Sequence, residues 1–136
     1  MVSLLGSILA VFLVAPLTAS ANEVDVISVK ARPLPDGTWR FDVTIKHEDE
    51  GWGHYANGWE VIGPEGNLIA SRPLRHPHVG QTSFTRSKIG FSIPPELKWV
   101  TVRGHDKIHA YGGLEQKVDL ARPVAIEAPA QNIEKK

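Results

Sequence analysis

Between Trp39 and Lys46 every second residue is apolar. Trp39, Phe41, Val43 and Ile45 fall on one side, and Arg40, Asp42, Thr44 and Lys46 on the other. A period of two lays one face of an extended strand on a core and leaves the other wet, as in an antiparallel sheet covered on one side. This run constrains the fold more than any other, because similar runs recur along the chain. Residues 24–29, 59–62, 67–71, 82–93, 99–103 and 114–120 are rich in β-branched and aromatic side chains and read as strands. Pro33-Leu34-Pro35-Asp36-Gly37, Gly63-Pro64-Glu65-Gly66 and Pro94-Pro95-Glu96 separate them with turn chemistry, proline presetting φ and glycine taking the left-handed position. The alternation slips between Phe84 and Ile89, which predicts a bulge.

No helical period and no internal repeat is visible. The pattern predicts an all-β chain, an antiparallel β-sandwich of about seven strands of the immunoglobulin or fibronectin type III sort, with an open barrel as the other architecture. With no cysteine pair to bridge the sheets, the fibronectin-like form is the nearer analogue. Trp59 is expected in the core.

The chain opens with Met1-Val2-Ser3, an apolar run over 4–14, Pro16, and the small-x-small site Ala19-Ser20-Ala21. This is the layout of a secretory signal peptide over residues 1–21, although no Lys or Arg precedes the apolar run. The run is shorter than the roughly 20 residues that a membrane span needs. Cleavage leaves a β-sandwich domain over 22–121 with no transmembrane anchor, whereas an uncleaved segment would tether it. Residues 122–136, dominated by Ala, Pro, Glu, Gln and Lys, are expected to form a flexible tail. The expected location is exported, either periplasmic or secreted. Without cysteine there is no disulfide and no thiol to carry a lipid, and the single methionine is Met1. Fifteen basic and fifteen acidic residues balance without a basic block, which argues against a nucleic-acid partner.

In an antiparallel sandwich successive connections alternate between two ends. One end then receives the three short turns. The other receives residues 47–57, 76–80 and 105–113, which carry all six histidines (His47, His54, His76, His78, His105, His109) together with Trp52, Tyr55 and Tyr111. Long loops on a rigid scaffold are where binding groups collect. His76-Pro77-His78 in extended backbone puts two imidazoles on one face. With His54 or His109 they form a candidate nitrogen site for Cu²⁺, Zn²⁺ or Ni²⁺. His105 and Asp106 are second choices, and Glu48 is a further oxygen donor. With Met1 in the signal segment, the mature chain lacks sulfur, which excludes thiolate and thioether sites. His47 continues the buried register of its strand.

Trp52, Tyr55 and Tyr111 supply a competing expectation, a rim on which a glycan or peptide could stack. A structural or adhesive domain with no small-molecule site is a third. Ser83 or Ser87, the histidines, and Asp106 or Asp49 include the ingredients of a nucleophilic triad, but no strained Gly-x-Ser-x-Gly turn presents them. Arg72, Arg75 and Arg86 could together receive an anion. Binding, more than catalysis, is the expected role.

At residues 51–66 (Gly-Trp-Gly-His-Tyr-Ala-Asn-Gly-Trp-Glu-Val-Ile-Gly-Pro-Glu-Gly), 76–79 (His-Pro-His-Val), 84–87 (Phe-Thr-Arg-Ser) and 109–113 (His-Ala-Tyr-Gly-Gly) the chain resembles a group of small exported bacterial proteins without an assigned activity. The resemblance implies export and fold, and no chemistry.

Overall fold

A computed structural model describes residues 22–122 and 126–127. The stretch read as a signal peptide lies outside the described residues, as does most of the stretch read as a tail. The strands are β1 (Asp25–Pro33), β2 (Trp39–Lys46), β3 (Ala56–Ile62), β4 (Leu68–Pro73), β5 (Ser83–Phe91), β6 (Trp99–Asp106), β7 (Gln116–Asp119) and β8 (Ile126–Glu127). They form two four-stranded sheets, ordered β5-β2-β1-β8 and β4-β3-β6-β7, and all ladders are antiparallel. Among the described residues no helix is long and apolar enough to cross a membrane.

The alternation of β2 is realised: Phe41, Val43 and Ile45 are fully buried. They meet Val26, Val29 and Ala31 of β1 and Phe84 and Phe91 of β5. From the other sheet come Ala56, Trp59 and Val61 of β3, Val100 and Val102 of β6, and Val118 of β7. Burial of these two inner faces against each other is the main favourable term, at roughly 25 cal/mol per Å² of apolar surface removed from water. Trp59 is wholly buried at its centre.

The details depart from the sequence reading at four places. Strand β3 begins at Ala56, three residues before the run read from the sequence, so Asn57 and Gly58 lie inside it. The bulge sits at the far end of β5: Trp39 pairs with Phe91 and Arg40 with Ile89, leaving Gly90 unpaired at φ 80°. A residue with φ in that region is readily supplied by glycine. Consequently Ile89 faces solvent instead of the core. Strand β6 runs on to Asp106, so His105 belongs to a strand and not to the following loop. Ile126 and Glu127, in the stretch expected to be tail, pair with Val29 and Ser28 of β1.

The connections of residues 47–55, 74–82 and 107–115 meet at one end. His47 N–H donates to Thr82 O (2.9 Å), His78 N–H to Asp49 Oδ2 (2.7 Å), and Lys107 N–H to Tyr55 O (3.3 Å).

Candidate metal centre

Strand period places the first two groups. Inward positions of β2 continue past its last residue to His47 and Asp49, both buried, while Lys46, Glu48 and Glu50 point out. The inward positions of β6 are Val100, Val102, Gly104 and Asp106. Asp106 therefore ends its strand with its carboxylate in the interior, opposite His47.

Two loop turns bring in the rest. Glu50 N–H donates to His54 O (2.8 Å) and His54 N–H to Gly51 O (3.2 Å), and Gly51 has φ 130°. That tight turn folds His54 back over the strand ends. After Asp106 the chain closes on itself through Asp106 N–H to Ala110 O (3.2 Å), with Ala110 in the left-handed region at φ 54°. Asp106 Oδ1 accepts the N–H groups of Ile108 and His109. The turn returns the His109 ring to its own strand end.

Three imidazole nitrogens then converge on a single oxygen. Asp106 Oδ2 lies 3.0 Å from His47 Nε2, 3.2 Å from His54 Nε2 and 2.9 Å from His109 Nδ1. The ring centroids of His47 and His54 are 5.0 Å apart, and those of His54 and His109 4.9 Å. Ligand atoms of His47, His54 and Asp106 all lie within 4.8 Å of one another.

The opposite nitrogens are also committed. His47 Nδ1 lies 2.6 Å from Asp49 Oδ1, and His54 Nδ1 lies 3.2 Å from Glu50 Oε1. A carboxylate only accepts, and a neutral imidazole has one N–H. With the His47 Nδ1 proton held by Asp49, the Nε2 lone pair of His47 faces Asp106 Oδ2 with no hydrogen between. That contact needs either a second proton on the ring or a cation between the two atoms, whereas His54, whose Nδ1 stands at ion-pair distance from the exposed Glu50, can donate to Asp106 from Nε2 as a neutral ring. In the protonated form the charges favour each other. Burial alone pulls the His54 imidazole down, but the carboxylates of Asp106 and Glu50 outweigh it and raise its pKa. Burial alone pushes the Asp106 carboxyl up, but bonds from His109, His54 and His47 hold it well below the usual carboxylate range.

The cation form also fits. Ligands at about 2.0–2.1 Å in a tetrahedral shell stand about 3.3–3.4 Å apart, close to the Nε2-to-Oδ2 distances found for His47 and His54. Carboxylates on the far nitrogens of ligating histidines are the usual outer support of such sites.

The expected metal set is divided by the fold. His54 and His109 join His47 and Asp106. His76 and His78 stand together elsewhere, with ring centroids 4.6 Å apart. The His78 ring stacks on Phe84 at 4.1 Å, and its Nε2 lies 2.9 Å from Arg86 Nη2. Asp49 joins the two groups, bonded to the His47 ring and to the His78 N–H. Burial, Arg86 and His76 lower the His78 pKa. His105 faces out from β6, its Nδ1 against Asn57 Oδ1 (2.5 Å) and its Nε2 4.0 Å from Glu60 Oε1. Glu48 is exposed, its N–H bound to Asn22 Oδ1.

The aromatic rim is also divided. Trp52 and Tyr55 pack edge to face at 5.8 Å, with Lys107 Nζ 5.5 Å from the Tyr55 centroid. Tyr111 instead donates to Glu60 Oε1 (3.0 Å) beneath the Arg103 guanidinium, 3.8 Å from its ring.

His47 and Asp49 were not among the expected ligands or supports. Their signal was present as His-x-Asp continuing the buried period of β2.

No family model matches the chain, and no solved structure matches it. The chain is similar to a protein of Halomicrobium mukohataei (strain ATCC 700874 / DSM 12286 / JCM 9738 / NCIMB 13541) named "Putative lipoprotein", with 36% identity over 98 residues, 72% of this chain. Those residues span 48% of that relative's length, so the chain accounts for about half of the protein that it resembles.

Proposed function

We propose that this chain is an exported β-sandwich binding module that holds a divalent transition metal, Zn²⁺ or Cu²⁺, through His47, His54 and Asp106, with His109 beside them. The observation that carries this reading is the convergence of three imidazole nitrogens on one buried carboxylate oxygen, with the far nitrogen of His47 held by Asp49. Nitrogen and oxygen donors without sulfur suit these ions.

Export is supported by the signal-like residues 1–21, by the resemblance to small exported proteins, and by the name of the Halomicrobium relative. That name does not carry a lipid to this chain, whose 136 residues contain no cysteine. We read the sandwich as fibronectin type III-like, because β1 to β7 fall into the orders β5-β2-β1 and β4-β3-β6-β7, with the two-residue β8 added at the edge of the first sheet.

Titration of the exported protein with Zn²⁺, followed by calorimetry, tests the metal reading. Binding far tighter than that of an isolated surface histidine is expected, weakened at least about tenfold in His47→Ala and in Asp106→Asn. Affinity no tighter than a surface histidine's, or unchanged in both variants, overturns it.

A second reading rests on Trp52, which is 66% exposed over Tyr55 and offers a stacking face for a sugar ring or a peptide side chain. A shift of Trp52 fluorescence with a glycan or peptide, absent in Trp52→Ala, is its expected signature.

A further inference from the structure

We propose that a second pocket, framed by Arg72, Arg75, Arg86, His76 and His78, binds a small tetrahedral oxyanion: inorganic phosphate or a phosphate monoester. The pocket has a volume of about 230 Å³ and no acidic residue lines it.

Its arginines lack the carboxylate partners that others in the fold have. Arg40 and Arg103 each hold a carboxylate, Asp42 and Glu60. Among the described residues no carboxylate pairs with Arg72, Arg75 or Arg86. Nor is this a set of loose surface chains. Arg72 is fixed by donating from Nε to Ser87 O (2.9 Å) and from Nη1 to Pro73 O (2.6 Å). Arg86 donates from Nη1 to Thr85 O (2.8 Å), and its Nη2 meets His78 Nε2. Those bonds leave Arg72 Nη2 and Arg86 Nε with no acceptor among the described residues. A guanidinium held in place by carbonyls, with donors to spare, is prepared for the fork geometry of phosphate recognition.

His78 completes the frame. Since arginine only donates, His78 Nε2 accepts, and its proton sits on Nδ1. That Nδ1 is buried without a hydrogen-bond partner among the described residues, 4.0 Å from Asp49 Oδ2. The ring is clamped between Phe84 and His76, and its own N–H is bound to Asp49. Three guanidinium groups beside an imidazole whose pKa is lowered by burial, Arg86 and His76 form a positive pocket that a dianion relieves better than a monoanion.

The test is calorimetric titration of inorganic phosphate, and separately of phenyl phosphate, at low ionic strength. The protein is first stripped of metal and dialysed free of chelator. Saturable binding is expected, at least about tenfold weaker in Arg86→Gln and in Arg75→Gln. Arg75 is exposed and makes no ion pair among the described residues, so its variant keeps the fold, which thermal unfolding checks. Phenyl phosphate binding as tightly as inorganic phosphate identifies a monoester ligand, and weaker binding identifies the free ion. No saturable heat, equal competition by chloride, or two variants that bind like the wild type overturns the proposal. Since metal is absent throughout, failure here leaves the metal centre standing, and the reverse holds for failure of Zn²⁺ binding.

Discussion

Asp49 Oδ1 lies 2.6 Å from His47 Nδ1, and both side chains are completely buried. The same carboxylate accepts the Ala56 N–H at 3.0 Å and, through Oδ2, the His78 N–H at 2.7 Å. One acid thus orients an imidazole of the candidate metal centre, starts strand β3 and pins the loop that carries the arginine pocket.

Asp49→Ala therefore leaves three buried donors without an acceptor. An unsatisfied buried donor costs about 1–3 kcal/mol, and water entering the vacated space recovers part of that. A loss of about 3–5 kcal/mol in urea unfolding is expected. Asp49→Asn keeps the shape and one acceptor oxygen, so a smaller loss is expected. It also weakens Zn²⁺ binding about 10- to 100-fold, the usual effect of disturbing the support behind a ligand.

The pH dependence of the metal-free protein follows from opposed shifts. Asp106 is depressed on folding, so its stabilisation is present above its ordinary value of 3.8 and disappears as pH falls through the lower folded value. His54 is raised, so its stabilisation is complete below 6.5 and fades as pH rises through the higher folded value. His78 and His105 are lowered, so their protonation in the unfolded chain costs stability as pH falls below 6.5. The stability difference between wild type and His54→Gln isolates one of these: it should be largest near pH 5–6 and shrink above 6.5. Zn²⁺ should reverse the trend, since a metal competes with the ring protons and binds more tightly as pH rises. A difference independent of pH in the metal-free protein would show that His54 gains nothing from its two carboxylates.

Much of this was legible in the sequence because period-two patterning survives folding. The run over β2 put Phe41, Val43 and Ile45 inward, and the order of turns gathered the histidine loops at one end. What was not legible is which side chains meet there. His76-Pro77-His78 drew the metal expectation because spacing alone does put its rings side by side. It says nothing of Arg86, which reaches His78 Nε2 from the neighbouring strand. Asp106 was ranked second because it was taken for a loop residue. Its place depends on β6 holding register for three residues past Arg103, and Gly104 hides that continuation by contributing no apolar side chain to the alternation. Ile89 was misplaced for the opposite reason, since the bulge at Gly90 inverts the faces on either side of it.

Gly104 offers a separate test of how the strand end is held. A methyl group added there meets the side chain of Val24, which fills the inward position that the glycine leaves empty. Val24 is 1% exposed and has little room to yield. Gly104→Ala should cost about 1–3 kcal/mol by overpacking, measured by chemical unfolding. The second substitution Val24→Ala in that background should recover part of the loss, because it removes the clashing methyl groups. Recovery of nothing would mean that the strain lies in the backbone.

Trp59 separates the scaffold from the site. It is wholly buried, and its Nε1 has no hydrogen-bond partner among the described residues. Trp59→Ala should destabilise by about 3–5 kcal/mol, the range for emptying an aromatic position in a core. Trp59→Phe should cost less, because it keeps most of the packing and removes a buried N–H that no acceptor satisfies. Strand β3 is fixed at its start by the Ala56 N–H on Asp49, three residues before Trp59, so the phenylalanine variant should bind Zn²⁺ as the wild type does. Lost metal affinity in a Trp59→Phe protein that remains folded would mean that core packing positions His54 and Asp106 more tightly than the hydrogen bonds around them.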